Sequence, residues 1–284
     1  KEIQIRGFKL RLPIAPQLIF TANPEDYTNR GSIVTPLKDR IGSQILTHYP
    51  HNRHIAKEIT TQEVKISPSQ IETIHIPELA RDIIEQIGFE AKKSEYVDYK
   101  SGVSARMSIT AMENLISTAE RRLLISGDKQ TSIRLVDFLG VIPSINGKIE
   151  LVYEGEQEGA EQISYHLISE SIKTLFPDYF PKIEKLQKQD EEGPYDELLG
   201  WFFKDNQLFL EDALNERDYQ EALNEIAGIN SILKTHHPEC DTKDLYFMME
   251  FLLWGLESFK KLNKYRTLEG FQFKDSLGSY ISGL

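Results

Sequence analysis

The sequence predicts a mainly α protein with a small α/β piece at its N-terminal end. Three observations predict it: a period-two apolar pattern confined to the first few dozen residues, long period-3.6 patterns after about residue 51, and an ordinary globular composition. The 284 residues are 40% hydrophobic and 27% charged, enough for two or three domains with real cores. A division into 1–50, 51–142 and 143–284 follows the changes of pattern.

In the first region Ile3, Ile5, Phe8, Leu10 and Leu12 alternate with Gln4, Arg6, Lys9 and Arg11, with Gly7 as a bend. Gln17 to Ala22 is a short apolar run expected to form a buried strand. Thr35-Pro36 has the signature of a helix start, leading into Leu37 to Arg40, and Ser43 to Tyr49 reads as a weaker strand.

The helical patterns begin at His51. Ile76, Leu79, Ala80, Ile83, Ile84 and Ile87 share one face, with Pro77 at the start and Gly88 expected as the stop. Thr110 and Glu113 suggest a capping box, and Ile109, Met112, Ile116, Ala119 and Leu123 keep helical spacing to Gly127. A further helix is expected over 133–139, then an extended excursion over 147–155. Helices follow near 160–176, 195–204, 217–234 and 242–263, with 189–197 as linker. The stretch around Leu245, Met248, Phe251, Leu252 and Leu256 is apolar on most sides and should lie at the centre of its bundle.

Charge and composition exclude several function classes. The net charge of -11 is uneven: residues 1–50 carry seven Lys/Arg against four Asp/Glu, residues 51–142 twelve against thirteen, and residues 143–284 fourteen against twenty-seven. The acidic C-terminal half would repel a phosphate backbone, which argues against nucleic-acid binding and against a DNA-remodelling role. No apolar run is long enough to cross a bilayer, and no signal peptide is visible. The single cysteine, Cys240, fits a reducing, cytoplasmic setting.

Three segments carry chemistry, and their order gives them weight. They are Thr21-Ala22-Asn23-Pro24-Glu25, Leu37-Lys38-Asp39-Arg40-Ile41-Gly42, and Ser104-Ala105-Arg106 before an amphipathic helix. In these residues the sequence resembles the magnesium-chelatase branch of the AAA+ ATPases, over about residues 1–140. Asn23 matches that family's sensor 1, Arg40 the arginine that reaches a neighbouring subunit's nucleotide, and Arg106 the sensor 2 of the helical lid. Residues 1–50 would then be the last part of an AAA+ core, 51–142 its lid, and 143–284 an acidic helical domain. Ile41 departs from the aromatic residue usual after the arginine.

The resemblance implies a ring-forming ATPase that uses ATP and Mg²⁺ and works with a von Willebrand A domain partner, remodelling a protein or assisting metal insertion. No phosphate-binding Gly-x-x-x-x-Gly-Lys-Ser/Thr loop occurs in the sequence, and no apolar strand ending in paired acids precedes the Asn23 segment. Gly147-Lys148 is followed by Ile149 where the loop requires a hydroxyl. The chain is therefore expected to be a piece of a longer ATPase, inactive alone.

Each residue also has a plainer reading: Asn23-Pro24 as a turn, Arg40 beside Asp39 as a surface ion pair, Arg106 as a solvated residue before a helix. The alternative function is a non-enzymatic helical interaction or oligomerisation module. Two histidine clusters, His48/His51/His54 and His236/His237 with Glu239 and Cys240, are weak metal candidates without a completing carboxylate set; no resident metal is expected.

Overall fold

The computed structural model describes residues 2–11, 17–21, 36, 39–98, 102–183 and 193–276. It is mainly helical, 57% helix against 11% strand, in agreement with the expected class. Two compact units are present, Lys1–His48 and Tyr49–Leu284.

In the first unit, strands β1 (Glu2–Ile5) and β2 (Phe8–Arg11) pair antiparallel, Ile5 opposite Phe8. Arg6 and Gly7 both have positive φ, 47° and 87°, the geometry of a two-residue turn whose twist matches the strands. The alternation was a sound guide here. Residues 17–21 do not form the expected buried strand. They are in no regular element, and Leu18, Ile19 and Phe20 are 66–84% exposed. A strand needs neighbours to pair with, and the described residues of this unit supply none to this run. The weaker strand expected at 43–49 is likewise coil, with Ile45 and Leu46 exposed. The helix start at Thr35-Pro36 lies outside the described residues apart from Pro36.

The second unit opens with α1 (Arg53–Glu63), capped by the Asn52 side chain, which accepts from Ile55 N at 2.9 Å. Then come α2 (Pro68–Thr73), with a capping box between Ser67 and Gln70, and β3 (Ile74–His75). Helix α3 (Glu78–Lys93) runs through Gly88. A Cβ there would meet Met107 Cε at 3.3 Å, so this glycine serves close packing and does not stop the helix.

Helix α4 (Met107–Ser126) ends at Gly127 as its pattern indicates, but it starts three residues before the expected capping box. Thr110 is inside it, and the Glu113 carboxylate accepts from Lys65 N at 3.2 Å instead. Strand β4 (Thr131–Ser132) pairs parallel with β3. The helix expected over 133–139 is a 3₁₀ segment, Leu135–Val141, running into α5 (Ile142–Asn146). The extended excursion is two isolated bridges, Val103 to Ile149 and Val97 to Leu151, before α6 (Tyr153–Glu158).

Beyond it lie α7 (Ala160–Tyr179), α8 (Asp196–Phe203), α9 (Glu216–Asn224), α10 (Ile229–His236) and α11 (Thr242–Ser258). The single helix expected over 217–234 is two, broken at Gly228 with φ +78°, a value that costs most residues free energy. Helix α11 is central as anticipated: Phe247, Met249, Phe251, Leu252, Leu253 and Leu256 are all 1% exposed or less. It ends at Ser258, and the chain then forms β6 (Leu262–Arg266) and β7 (Gly270–Asp275), which join β5 (Leu208–Glu211) in an antiparallel sheet of order β5-β7-β6. The sequence reading missed this sheet.

One core runs through the second unit from Ile74 to Phe273. Helix α3 packs on α7, and α7 on α11, so the boundary expected at 142/143 is not a break in packing. The boundary expected at 50 falls two residues from the observed division.

Candidate functional site

Of the three segments singled out in the sequence, one is fully placed by the second unit. Ser104, Ala105 and Arg106 form the turn that leads into α4, and the backbone groups of Ser104 and Arg106 are all paired. Ser104 N donates to Lys148 O at 2.9 Å, and Ser104 O accepts from Met107 N at 2.9 Å. Arg106 N donates to Ser104 Oγ at 3.2 Å, and Arg106 O accepts from Thr110 N at 3.0 Å. Met107, 1% exposed, anchors the turn in the core. Gly147-Lys148 thus supplies a backbone partner for this turn. Its resemblance to part of a phosphate loop is incidental.

With its backbone held, Arg106 presents its guanidinium to solvent. The residue is exposed at the N-cap position of a 20-residue helix and makes no ion pair within 4 Å among the described residues. An exposed guanidinium beside a helix N-terminus, the positive end of the helix dipole, suits an anion with several oxygens.

Arg40 lies in the other unit, in an exposed turn with Asp39. Among the described residues the two make no ion pair, so the surface-pair reading of Arg40 gains no support. Asn23 lies outside the described residues, as do Leu37 and Lys38. The geometry of Arg40 and that of Arg106 therefore stand separately, each as an exposed arginine on a turn.

Next to the Arg106 turn is a pocket of about 60 Å³ lined by Tyr49, Pro50, Glu85, Lys92, Ser104 and Met107, among others. That is space for a water molecule or two. Glu85 is 4% exposed, and its Oε1 has no hydrogen-bond partner among the described residues. Burial pushes its pKa up, an effect that the Thr60 and Ser108 hydroxyls partly offset. Burial pushes the Lys92 pKa down, and its ammonium sits 3.4 Å from the centroid of the Tyr49 ring. The Tyr49 hydroxyl donates to Val103 O at 2.6 Å. Sequence reading missed this group because Tyr49, Lys92 and Val103 are far apart along the chain and carry no shared motif.

A larger open groove is lined by His75, Thr131, Ser132, Lys243 and Tyr246 among others. His75 Nε2 lies 2.6 Å from Asp244 Oδ1. Ser132 Oγ donates to Lys243 O at 3.0 Å, so the serine nearest in register to His75 is not aligned as its nucleophile.

Comparison with known proteins adds nothing to this geometry. No family model, curated protein or solved structure matches the chain.

Two of the histidines in the metal candidates have placed contacts. No group of three His, Cys, Asp or Glu side chains able to hold a metal ion occurs among the described residues. His54 faces Glu58 at 3.8 Å. His237 Nε2 is 2.7 Å from Tyr179 O, its ring edge-on to Phe180. No helix among the described residues is long and apolar enough to cross a membrane.

Proposed function

We propose that this chain carries the nucleotide-sensing and coupling side of a ring-forming AAA+ ATPase of the magnesium-chelatase branch. The observation that carries the reading is Arg106: exposed and without an ion-pair partner among the described residues, on a turn held rigidly at the start of a long helix. The exposed run Leu18-Ile19-Phe20 agrees with it, because three adjacent large apolar side chains call for cover. A sheet supplied from elsewhere in a longer protein would give that cover.

In this reading water attacks the γ-phosphorus of ATP and ADP leaves. Asn23 orients the water, Arg106 binds γ-phosphate oxygens of its own subunit's nucleotide, and Arg40 reaches the neighbour's. Charge builds on the transferred group, and guanidinium groups stabilise it through paired hydrogen bonds. Mg²⁺ neutralises phosphate charge when bound. The ring contact is head-to-tail, and the acidic helical part from about residue 143 is the docking surface for a partner, a von Willebrand A domain protein by family likeness. The work done is remodelling of that partner or assistance to metal insertion.

The test is ATP turnover by the longer protein carrying Arg40→Ala or Arg106→Ala. Loss of about 10³-fold is expected for an arginine acting in trans. Unchanged turnover in both variants would sink the site assignment and leave the alternative, a helical interaction module without enzymatic activity. That alternative draws on the single continuous core of the second unit.

A further inference from the structure

We propose that Tyr49 is a positioning residue for Arg106: its hydroxyl, clamped onto the Val103 carbonyl, steadies the turn that aims the guanidinium. The proposal rests on the ATPase reading above and adds a residue to it.

Three observations converge on Tyr49. It is the first residue of the second unit, where the chain leaves the segment bearing Arg40. Its hydroxyl bond reaches across 54 positions of sequence to Val103 O at 2.6 Å, three residues before Arg106. Its ring is held in place by the Lys92 ammonium at 3.4 Å, from the last turn of α3.

The turn itself is shaped to accept this contact. Gly102 has φ +63°, which disfavours any side chain, and a Cβ built there would lie 3.3 Å from the Tyr49 hydroxyl oxygen. Gly102 N donates to Asp98 O at 2.9 Å, and Val103 bridges to Ile149. The Val103 carbonyl is thus fixed on both sides, and a pull or push at residue 49 is transmitted to the residues just before Arg106. A tyrosine with 43% of its surface exposed is not chiefly a packing residue, so its hydroxyl can be removed with little effect on the core.

The consequence is that one hydroxyl and one carbonyl steady the turn that carries Arg106. Losing that link lets the Arg106 turn relax and weakens contact with the γ-phosphate, while binding to ADP, which lacks that group, is unchanged.

The experiment is a double-mutant cycle in the longer ATPase with Tyr49→Phe and Arg106→Ala, reading turnover and the ratio of ATP to ADP affinity. Tyr49→Phe is expected to lower turnover and the affinity ratio by about fivefold, the usual scale for one net hydrogen bond. In the Arg106→Ala background it should have no further effect, since it acts through Arg106. Amide exchange at residues 103–107 should accelerate in Tyr49→Phe with the rest of the second unit unchanged. Additive effects, or wild-type behaviour of Tyr49→Phe beside an impaired Arg106→Ala, would overturn the positioning role and leave the ATPase reading standing. If Arg106→Ala itself is unimpaired, the ATPase reading fails first.

Discussion

The two ends of helix α4 use the same side chain in opposite ways. At its start Arg106 is exposed, without an ion pair among the described residues, on a fixed turn. Four turns later Arg122 is 4% exposed and nearly saturated: Nε and Nη2 grip Asp137 at 3.0 and 2.8 Å, Nη1 reaches Thr131 Oγ1 at 2.7 Å, and Nη2 also reaches Ser132 O at 2.8 Å. Arg134, 1% exposed, extends the buried set to Leu214 O and Glu216, its guanidinium 3.9 Å from the Tyr219 ring. Glu250 completes it, accepting from Leu135 N and from the Tyr219 hydroxyl at 2.8 and 2.9 Å. The lesson is that an arginine's role is set by what already occupies its donors. Arg122 is buried with four of its five N–H donors engaged, and Arg106 has its whole fork.

The sharpest way to break this contrast is at the saturated end. Asp137→Ala would leave Arg122 buried without its counter-charge, and a loss of about 3–5 kcal/mol is expected in urea unfolding. A loss under about 1 kcal/mol would mean that this buried junction of Arg122, Arg134 and Glu250 is not central to stability.

That junction was not legible in the sequence. Arg122 sits on a helix beside Arg121, and only the fold shows which of the two faces Asp137, fifteen residues on. Arg134 finds Glu216 across 82 positions, which no local pattern records. Legible features were those whose cause is local. The alternation around Gly7 gave the hairpin, the 3.6 period gave α3, α4 and α11, and the apolar circumference of α11 gave its central place. Strands β5, β6 and β7 were hidden because they are short and lie among helical patterns, and β5 finds β7 only across some sixty residues. Residues 17–21 read as a strand because β-propensity describes a surface that packs against neighbours, and the neighbours are not among the described residues. The proposal for Arg106 draws on the order of three motifs; the Tyr49 hydroxyl's bond to Val103 O has no sequence signal.

A second variant probes the packing around α11. A Cβ at Gly255 would fall 2.0 Å from Phe176 Cδ2, so Gly255→Ala forces the aromatic cluster of Phe176, Phe180 and Phe251 to shift. About 1–3 kcal/mol is the expected cost, seen as a lower Tm. No change would show that the cluster is looser than its geometry indicates.

The open corner gives a smaller, pH-dependent signal. The Glu85 pKa is raised in the folded state by burial. The native state therefore holds more protons than the unfolded chain between the two pKa values. Stability should fall as pH rises from the usual carboxylate range through the folded pKa. Glu85→Gln should flatten that slope, checked by urea unfolding at several pH values between about 4 and 7. An unchanged slope would assign the dependence to another group.

The smallest stability effect is expected at Arg106, and there the contrast meets function. The most direct measurement pairs the unfolding free energy of Arg106→Ala with its ATP turnover in the longer protein. Stability should stay within about 0.5 kcal/mol of the parent, while turnover falls by at least about tenfold. Turnover equal to the parent's, with or without a loss of stability, would contradict the assignment of Arg106 to the nucleotide.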